Sequence, residues 1–449
     1  GAGFDDTDPR NAYGPYFQRQ RVEIYHTYAK SLVERGLAYP CFCTEEELDK
    51  VRAKQEEDKV LTGYYGEYAT CRNLSYEEVE ANIKAGKPYV LRLRSQGSPD
   101  KEITFVDAIK GEIKLPENIH DIVLLKKDGI PTYHFAHAID DHLMRTTTVV
   151  RGGEWLASAP IHYELFHLLG FKMPAYAHTA HLMKFDEETG GKRKLSKRKD
   201  PELSLDYYRK DGYHPYTMKV YLLTLLNSNF EEWHEKFPDK DINEFPFSVE
   251  KMNQSGALFD KDKLHNICKN ELSKLSEEEL YDFLYDWAKE NEPENVEKWF
   301  GDREKMLQIL RLYMGVGAKR RRKDLMYAKQ IFELISYFFD GESAEEMDEF
   351  KLDEDMVSKI LKSYLAKYDH NDDNSVWFNK LKEIADEHGF ASDMKAYKAN
   401  PENFKGNVSD IAEAVRIAVT GRANTPDLWT IVHIMGEEQM TERIKKHIK

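Results

Sequence analysis

The chain has no apolar run approaching the ~18 residues needed to cross a bilayer, so no membrane-spanning helix is expected. Its four cysteines are too few to staple 449 residues, and a reducing, cytoplasmic setting is expected instead of a disulfide framework. The first residues, Gly1-Ala2-Gly3-Phe4-Asp5-Asp6, offer neither a basic nor an apolar stretch, so no secretory leader is read there. Internal repeats and long low-complexity linkers are missing too. Positive charge is also in deficit. A net charge of -15 argues against a surface that binds nucleic acid indiscriminately. It does not exclude a specific nucleic-acid partner, because phosphates are met by local Lys/Arg clusters. What remains is an ordinary globular composition, 41% apolar and 32% charged, in a chain long enough for about two to four domains.

The basic residues are concentrated. Six lysines or arginines follow Lys184 up to Lys199, and Lys319-Arg320-Arg321-Arg322-Lys323 is unbroken. Charge runs of this kind are commonly solvated faces, so composition alone does not assign them to phosphate.

Hydrophobic spacing organises the rest. Val22, Ile24, Tyr25, Tyr28, Ala29, Leu32 and Val33 predict an amphipathic helix over 18–36, with Gly36 as its stop. Tyr89 to Arg94 alternates like a strand. Ile103–Val106 and Glu112–Leu115 flank a turn at Lys110-Gly111. Asp121–Leu125 is expected to pair with Tyr133-His134-Phe135 across Asp128-Gly129. A helix from Glu154 to Leu169 and a strand from Ala175 to Met183 follow. Strand, helix, strand suits half of a doubly wound nucleotide-binding sheet. After Pro201 the pattern turns helical, with an apolar helix at Tyr216–Leu226 and almost no strand signal beyond about residue 270. Near the end, Gly421 reads as a helix stop and Thr425-Pro426 as the next N-cap and first turn.

Gly190-Gly191-Lys192-Arg193-Lys194-Leu195-Ser196-Lys197-Arg198-Lys199-Asp200 combines glycines that free a loop with ammonium groups that reach an anion. When a carboxylate attacks the α-phosphate of ATP and pyrophosphate leaves, negative charge grows on the bridging oxygens. A positioned lysine stabilises that charge, and a serine hydroxyl adds a neutral donor. Lys194-Leu195-Ser196-Lys197-Arg198 resembles the lysine loop of class I aminoacyl-tRNA synthetases, which that family calls KMSKS. Tyr133 to Met144, Val150-Arg151-Gly152-Gly153-Glu154-Trp155, and the pair of segments Asp410–Gly421 and Thr425–Gly436 resemble bacterial-type glutamyl-tRNA synthetases. The likeness runs over nearly the whole chain.

The resemblance implies an α/β Rossmann-type catalytic domain, incomplete at the N-terminus, with an α+β acceptor-binding insertion and an all-α C-terminal anticodon-binding domain. The implied divisions are 1–37, 38–120, 121–200, 201–295 and 296–449. It implies glutamate activation by ATP with Mg2+, then transfer to tRNA(Glu), by a monomer. Lys194, Ser196 and Lys197 are the implied catalytic residues, with Arg198 on ATP. Arg151 is the implied reader of the glutamate carboxylate, with Tyr133, His137 and Glu154 around it. His137 stands where most relatives carry an Asn-like group, and Gly153 where they are more often acidic. Lys319, Arg320, Arg321, Arg322, Arg416 and Arg422 are the implied tRNA contacts. Arg416 serves equally as a cap or partner inside the last helices.

Two features depart from the family. The His-x-Gly-His signature at the start of the nucleotide fold is nowhere in the chain, and Asp5-Asp6-Thr7-Asp8 matches an acidic family segment only in the wrong setting. The expectation is a fragment that does not activate glutamate as it stands, and a non-catalytic tRNA-binding protein remains an alternative. So does a glutaminyl-tRNA synthetase, although relatives of that kind read the anticodon with β-barrels. Cys41, Cys43 and Cys71 resemble a zinc site of some bacterial relatives, but Asn73 replaces the usual histidine. Tyr65 or Tyr68 is left to complete the tetrahedron, or the site is vestigial. Cys268 is expected in the core.

Overall fold

The computed structural model describes residues 13–186, 188–196, 198–254, 256–339 and 347–449. Lys197 and the Asp5–Asp8 segment lie outside the described residues. The chain folds as two compact units, one of residues 1–194 and 224–258, the other of residues 195–223 and 259–449.

The first unit opens with a short 3-10 turn and helix α1 (Val22–Glu34). Tyr25, Ala29 and Leu32 recur along one face and are buried, and Gly36 leaves the helix at φ +69°. Arg21, buried at the turn, donates from Nε to Asp140 at 2.9 Å, and the Tyr25 hydroxyl donates to the other carboxylate oxygen at 2.7 Å. Strand β1 (Ala38–Cys41) leads to helix α2 (Glu45–Glu57) and helix α3 (Tyr76–Lys84). Both helices begin with a capping box, at Thr44/Glu47 and Ser75/Glu78. Strand β2 (Val90–Leu93) returns antiparallel to β1. Strands β3 (Glu102–Asp107) and β4 (Gly111–Pro116) form the expected hairpin; Ile103, Phe105 and Asp107 point inward while Val106 is 66% exposed.

The segment after strand β5 (Val123–Leu125) departs from the expected hairpin. Only Leu125 bridges back, to Pro131, and Tyr133–Leu143 is helix α4. Pro131 has no N–H to extend a ladder, and extended Thr132 opens the helix. Phe135, Ala138 and Ile139 then bury one helical face against Leu165, Phe166 and α1. Strand β6 (Thr148–Gly152), a 3-10 turn, helix α5 (Ala159–Leu169) and strand β7 (Ala175–Thr179) make the strand–helix–strand unit, with β6 and β7 parallel. The predicted strand to Met183 is two strands. β7 joins the sheet β4-β3-β7-β6, and β8 (Leu182–Phe185) pairs with β9 (Lys192–Lys194) in another.

The second unit receives helix α6 (Leu205–Asp211) and most of helix α7 (Pro215–Leu226). The chain then returns to the first unit for helix α8 (Phe230–Lys236) and strand β10 (Ala257–Leu258), which pairs with β8. From there the described residues are helical: α9 (Lys261–Leu272), α10 (Glu277–Asn291), α11 (Val296–Phe300), α12 (Arg303–Met314), α13 (Ala328–Ile335), α14 (Glu354–Lys367), α15 (Asn374–His388), α16 (Met394–Ala399), α17 (Val408–Thr420), α18 (Leu428–Met435) and α19 (Glu437–Lys445). Most of these helices share one core that includes Leu284, Leu310, Ile360, Leu381, Ile411 and Ile431. Cys268 is buried within this unit, as expected. Gly421 ends α17 at φ +73°. The next cap is Asp427, not Thr425: its carboxylate accepts from the Thr430 N–H at 2.9 Å, while the Thr425 hydroxyl turns to the Pro426 carbonyl. An ionised side chain at this position also faces the positive end of the helix. No helix among the described residues is long and apolar enough to cross a membrane.

Candidate active site

Three strands place a cluster of polar residues. In register, Arg151 of β6 stands opposite His178 of β7, and Tyr176 of β7 opposite Asp107 of β3. Residues two apart on a strand share a face, so Tyr176 and His178 turn to the same side. Arg151 and His178 also sit near the carboxyl ends of parallel strands, where open α/β sheets bind ligands.

Arg151 is held on several sides. Its Nε donates to His178 Nε2 at 2.9 Å, one Nη to His162 Nδ1 at 3.1 Å, and the other to the Trp155 carbonyl at 3.4 Å. The guanidinium also lies 4.8 Å from the centre of the Tyr176 ring. No carboxylate is within ion-pair range of Arg151 among the described residues, so it pairs with neither Glu154 nor Asp141. A guanidinium has five N–H donors. Three are engaged, which leaves two for a ligand carboxylate.

These bonds fix tautomers. His178 accepts at Nε2, so its proton is on Nδ1, and it donates to Asp107 at 2.6 Å. His162 accepts at Nδ1 and donates from Nε2 to His134 Nδ1, 2.9 Å away. His137 gives Nδ1–H to Asp141 at 2.6 Å, leaving Nε2 to accept from the Tyr176 hydroxyl at 2.7 Å. Tyr133, 46% exposed, stacks on His137 at 5.6 Å and packs on Trp155 at 4.6 Å. Tyr133 and His137 are therefore linked to Arg151 through Trp155, His162 and Tyr176 in one cluster. Glu154 turns away from Arg151, its carboxylate 3.4 Å from His181 and 3.9 Å from the Lys194 ammonium.

The histidines carry a pH signature. Burial, followed by the nearby His137 and Arg151, pushes the His162 pKa down to about 2. Burial also lowers His134 and His178. An unfolded imidazole takes up its proton near pH 6.5, whereas folded His162 does not, so the unfolded state binds more protons below that pH. Stability is therefore expected to fall with acidification below ~6.5 by up to about 1.4 kcal/mol per pH unit on account of His162. Urea midpoints at roughly pH 7.5 and 5 should show the loss, and His162→Gln should have a shallower slope. An unchanged slope would mean His162 does not contribute.

The lysine-rich segment divides between the units. In the first, β9 pairs with β8, and Lys194 Nζ lies 3.3 Å from His181 Nε2. In the second, the Ser196 N–H donates to buried Asp200 at 2.8 Å, and the Asp200 N–H returns to the Ser196 carbonyl at 2.9 Å. Arg198 is exposed.

In the first unit the Sγ atoms of Cys41, Cys43 and Cys71 lie within 4.8 Å of one another. Beside them lies Tyr64, whose hydroxyl is 3.4 Å from Cys41 Sγ and 3.2 Å from Cys43 Sγ. Tyr65 and Tyr68 are committed elsewhere, to the Leu61 carbonyl and to Asp58. Bonds of about 2.3 Å to sulfur would set tetrahedral thiolates roughly 3.8 Å apart, so the donor set fits zinc. Hydrogen bonds from Cys43 and Cys71 hold the Cys41 thiol well below its usual range.

In the second unit Lys319–Lys323 are exposed, and Arg320 and Arg322 line a groove of about 720 Å³ with Arg311 and His433. Arg416 and Arg422 are not part of that lining. They donate to the backbone carbonyls of Ala423 and Glu333.

Reading the sequence missed Asp107, His162, Tyr176 and His178. The available signal was a carboxylate at an inward position of an alternating strand, and a histidine two residues from a buried tyrosine.

Residues 4–266 match the family described as tRNA synthetases class I (E and Q), catalytic domain, and residues 279–448 an anticodon binding domain. A glutamate–tRNA ligase of Acetivibrio thermocellus is 54% identical over 436 residues, covering 97% of this chain and 79% of the relative. One from Clostridium perfringens is 46% identical over 448 residues, covering 99% and 80%. The crystal structure of a glutamate tRNA ligase from Elizabethkingia meningosepticum, in complex with its amino acid, superposes with a TM-score of 0.73 at 26% identity, over 97% of this chain and 84% of that one. The chain belongs to the class I tRNA synthetases, in the family of the glutamate–tRNA ligases.

Proposed function

We propose that the protein activates glutamate with ATP and transfers it to tRNA(Glu). The observation that supports this reading best is Arg151, a cation without a carboxylate partner among the described residues and with two unspent N–H donors beside Tyr133 and His137. A paired fork of this kind recognises a carboxylate and leaves a neutral amide poorly matched. The α-carboxylate of glutamate attacks the α-phosphate of ATP, delivered with Mg2+, and pyrophosphate leaves. The terminal ribose of the tRNA then takes the acyl group. Lys194, Ser196, Lys197 and Arg198 are assigned to the phosphates on their match to the family's lysine loop, and Glu154 to the rim of the amino-acid pocket. The five segments bounded at 38, 121, 201 and 296, a cytoplasmic location and a monomer complete the reading. The test is ATP–pyrophosphate exchange in the full-length protein. Exchange that requires glutamate and tRNA supports it, and equal exchange with glutamine overturns the specificity.

Lys319, Arg320, Arg321 and Arg322 are proposed to meet the tRNA directly, with Arg416 and Arg422 holding the backbone at Ala423 and Glu333. Replacing Arg320 and Arg321 by Ala should weaken tRNA binding and lower the slope of log K against log salt by about 1 for each phosphate no longer neutralised. An unchanged slope would remove these residues from the interface.

Cys41, Cys43, Cys71 and Tyr64 are proposed to hold a structural zinc that ties β1 to the turn at residues 64–71. Metal analysis should find about one equivalent per chain, and Tyr64→Phe should lose it more readily to a chelator. Less than ~0.2 equivalents in the unaltered protein would make the cluster vestigial.

A further inference from the structure

Asp107 is 1% exposed and lies 71 residues along the chain from the imidazole it faces. Its four hydrogen bonds come only from donors. Oδ1 accepts from the Ile109 and Lys110 N–H groups, both at 2.9 Å, and Oδ2 accepts from the His178 N–H at 3.0 Å and Nδ1–H at 2.6 Å. His178 is fully buried, and its second nitrogen accepts from Arg151 Nε. The result is a relay of three strands: carboxylate, neutral imidazole, guanidinium. We infer that Asp107 and His178 are positioning residues for glutamate selection, fixing the plane of the Arg151 fork so that its two unspent donors face the side-chain carboxylate together. This rests on the reading that Arg151 receives that carboxylate.

The direction of the relay matters. His178 accepts from Arg151 only while Nδ1 carries the proton, and Nδ1 carries it because Asp107 offers nothing but acceptors. Burial pushes the Asp107 carboxyl up, but its hydrogen bonds from Lys110, His178 and Ile109 outweigh burial and hold it below the usual carboxylate range. An amide at position 107 would present its NH2 to one of two pairs of N–H donors. If it faced His178, the ring would change tautomer and set Nε2–H against the Arg151 N–H. The fork would lose its anchor while its charge remained.

The test compares Arg151→Gln, His178→Ala, His178→Gln and Asp107→Asn in the full-length protein, by ATP–pyrophosphate exchange with glutamate and ATP varied separately. Glutamine in place of His178 keeps an acceptor toward Arg151 and a donor toward Asp107. His178→Ala and Asp107→Asn should raise the KM for glutamate about tenfold or more, with the KM for ATP within about twofold. His178→Gln should recover most of the loss. Equal defects for Gln and Ala at 178, or losses shared equally between glutamate and ATP, would overturn the positioning role and leave a structural one. Should Arg151→Gln leave the glutamate KM unchanged, the reading of Arg151 itself fails, an outcome separate from either result at 107 and 178. Melting curves of the four variants show whether any failed to fold, and the His178 Gln/Ala pair decides the matter if Asp107→Asn does.

Discussion

Arg151→Ala is expected to weaken glutamate binding by about 10²–10³-fold and to erase the preference for glutamate over glutamine. Truncating one partner of a desolvated, hydrogen-bonded charge pair costs roughly 2–5 kcal/mol, and each 1.4 kcal/mol is tenfold. The other groups around the guanidinium cannot take over. Burial keeps His162 from protonating and also lowers His134, and His178 is turned toward Asp107. Arg151→Lys should fall between, because an ammonium keeps the attraction but not the two parallel bonds of the fork. Calorimetric titration of glutamate into each protein measures the effect. A change under about threefold for Arg151→Ala would remove it from the amino-acid pocket.

Asp121→Ala is expected to destabilise the first unit by about 3–5 kcal/mol, as breaking a buried ion pair does elsewhere. Asp121 has no exposed side-chain surface. It pairs with Arg72, accepts from the Tyr39 hydroxyl at 2.6 Å, and accepts from the Ser95 N–H at 2.9 Å. Its carbonyl also takes a bond from Arg92 at 2.9 Å. One carboxylate thus gathers β1 and the loops at residues 72 and 95, and alanine would leave an arginine and a phenol without their acceptor. Urea unfolding followed by near-ultraviolet circular dichroism measures the loss. If Asp121→Ala costs less than about 1 kcal/mol, water replaces the carboxylate and the network is not what holds these strands.

The elements that follow local rules were legible in the sequence. The stripe on α1 with its stop at Gly36, the inward alternation of β3, the stop at Gly421 and the burial of Cys268 all follow from nearest neighbours along the chain. Tyr133-His134-Phe135 misleads because three ring-bearing residues after a turn look like a strand. The burial spacing that marks a helix appears only when Ala138 and Ile139 are included. Pro131 was the overlooked signal. Thr425-Pro426 is a fair N-terminal pattern beaten two residues later by a carboxylate.

In the candidate site, Tyr133, His137 and Arg151 came through resemblance, and the structure gathers them. Asp107, Tyr176 and His178 left no more than a hint of burial in the sequence, for a physical reason. Each is unremarkable in its own stretch, and its meaning comes from strand register, which joins residues that no local pattern connects. The nearness of the Tyr64 hydroxyl to the cysteines, with those of Tyr65 and Tyr68 turned to Leu61 and Asp58, is a similar case that only the fold reveals.

The 71-residue span between Asp107 and His178 also bears on the order in which the protein is made. During synthesis β3 leaves the ribosome with one oxygen of its carboxylate unanswered, and Arg151 appears before the imidazole that will anchor its Nε. Pairings this distant along the chain close late, since the intervening loop must lose its freedom first. A nascent chain that has emerged only to residue 170 would already hold the Arg151 cation with His162 and the Trp155 carbonyl, yet not the imidazole that anchors its Nε. Discrimination between amino acids would then be among the last properties the first unit acquires. A folding intermediate with native-like helices would bind glutamate and glutamine equally poorly until β7 docks.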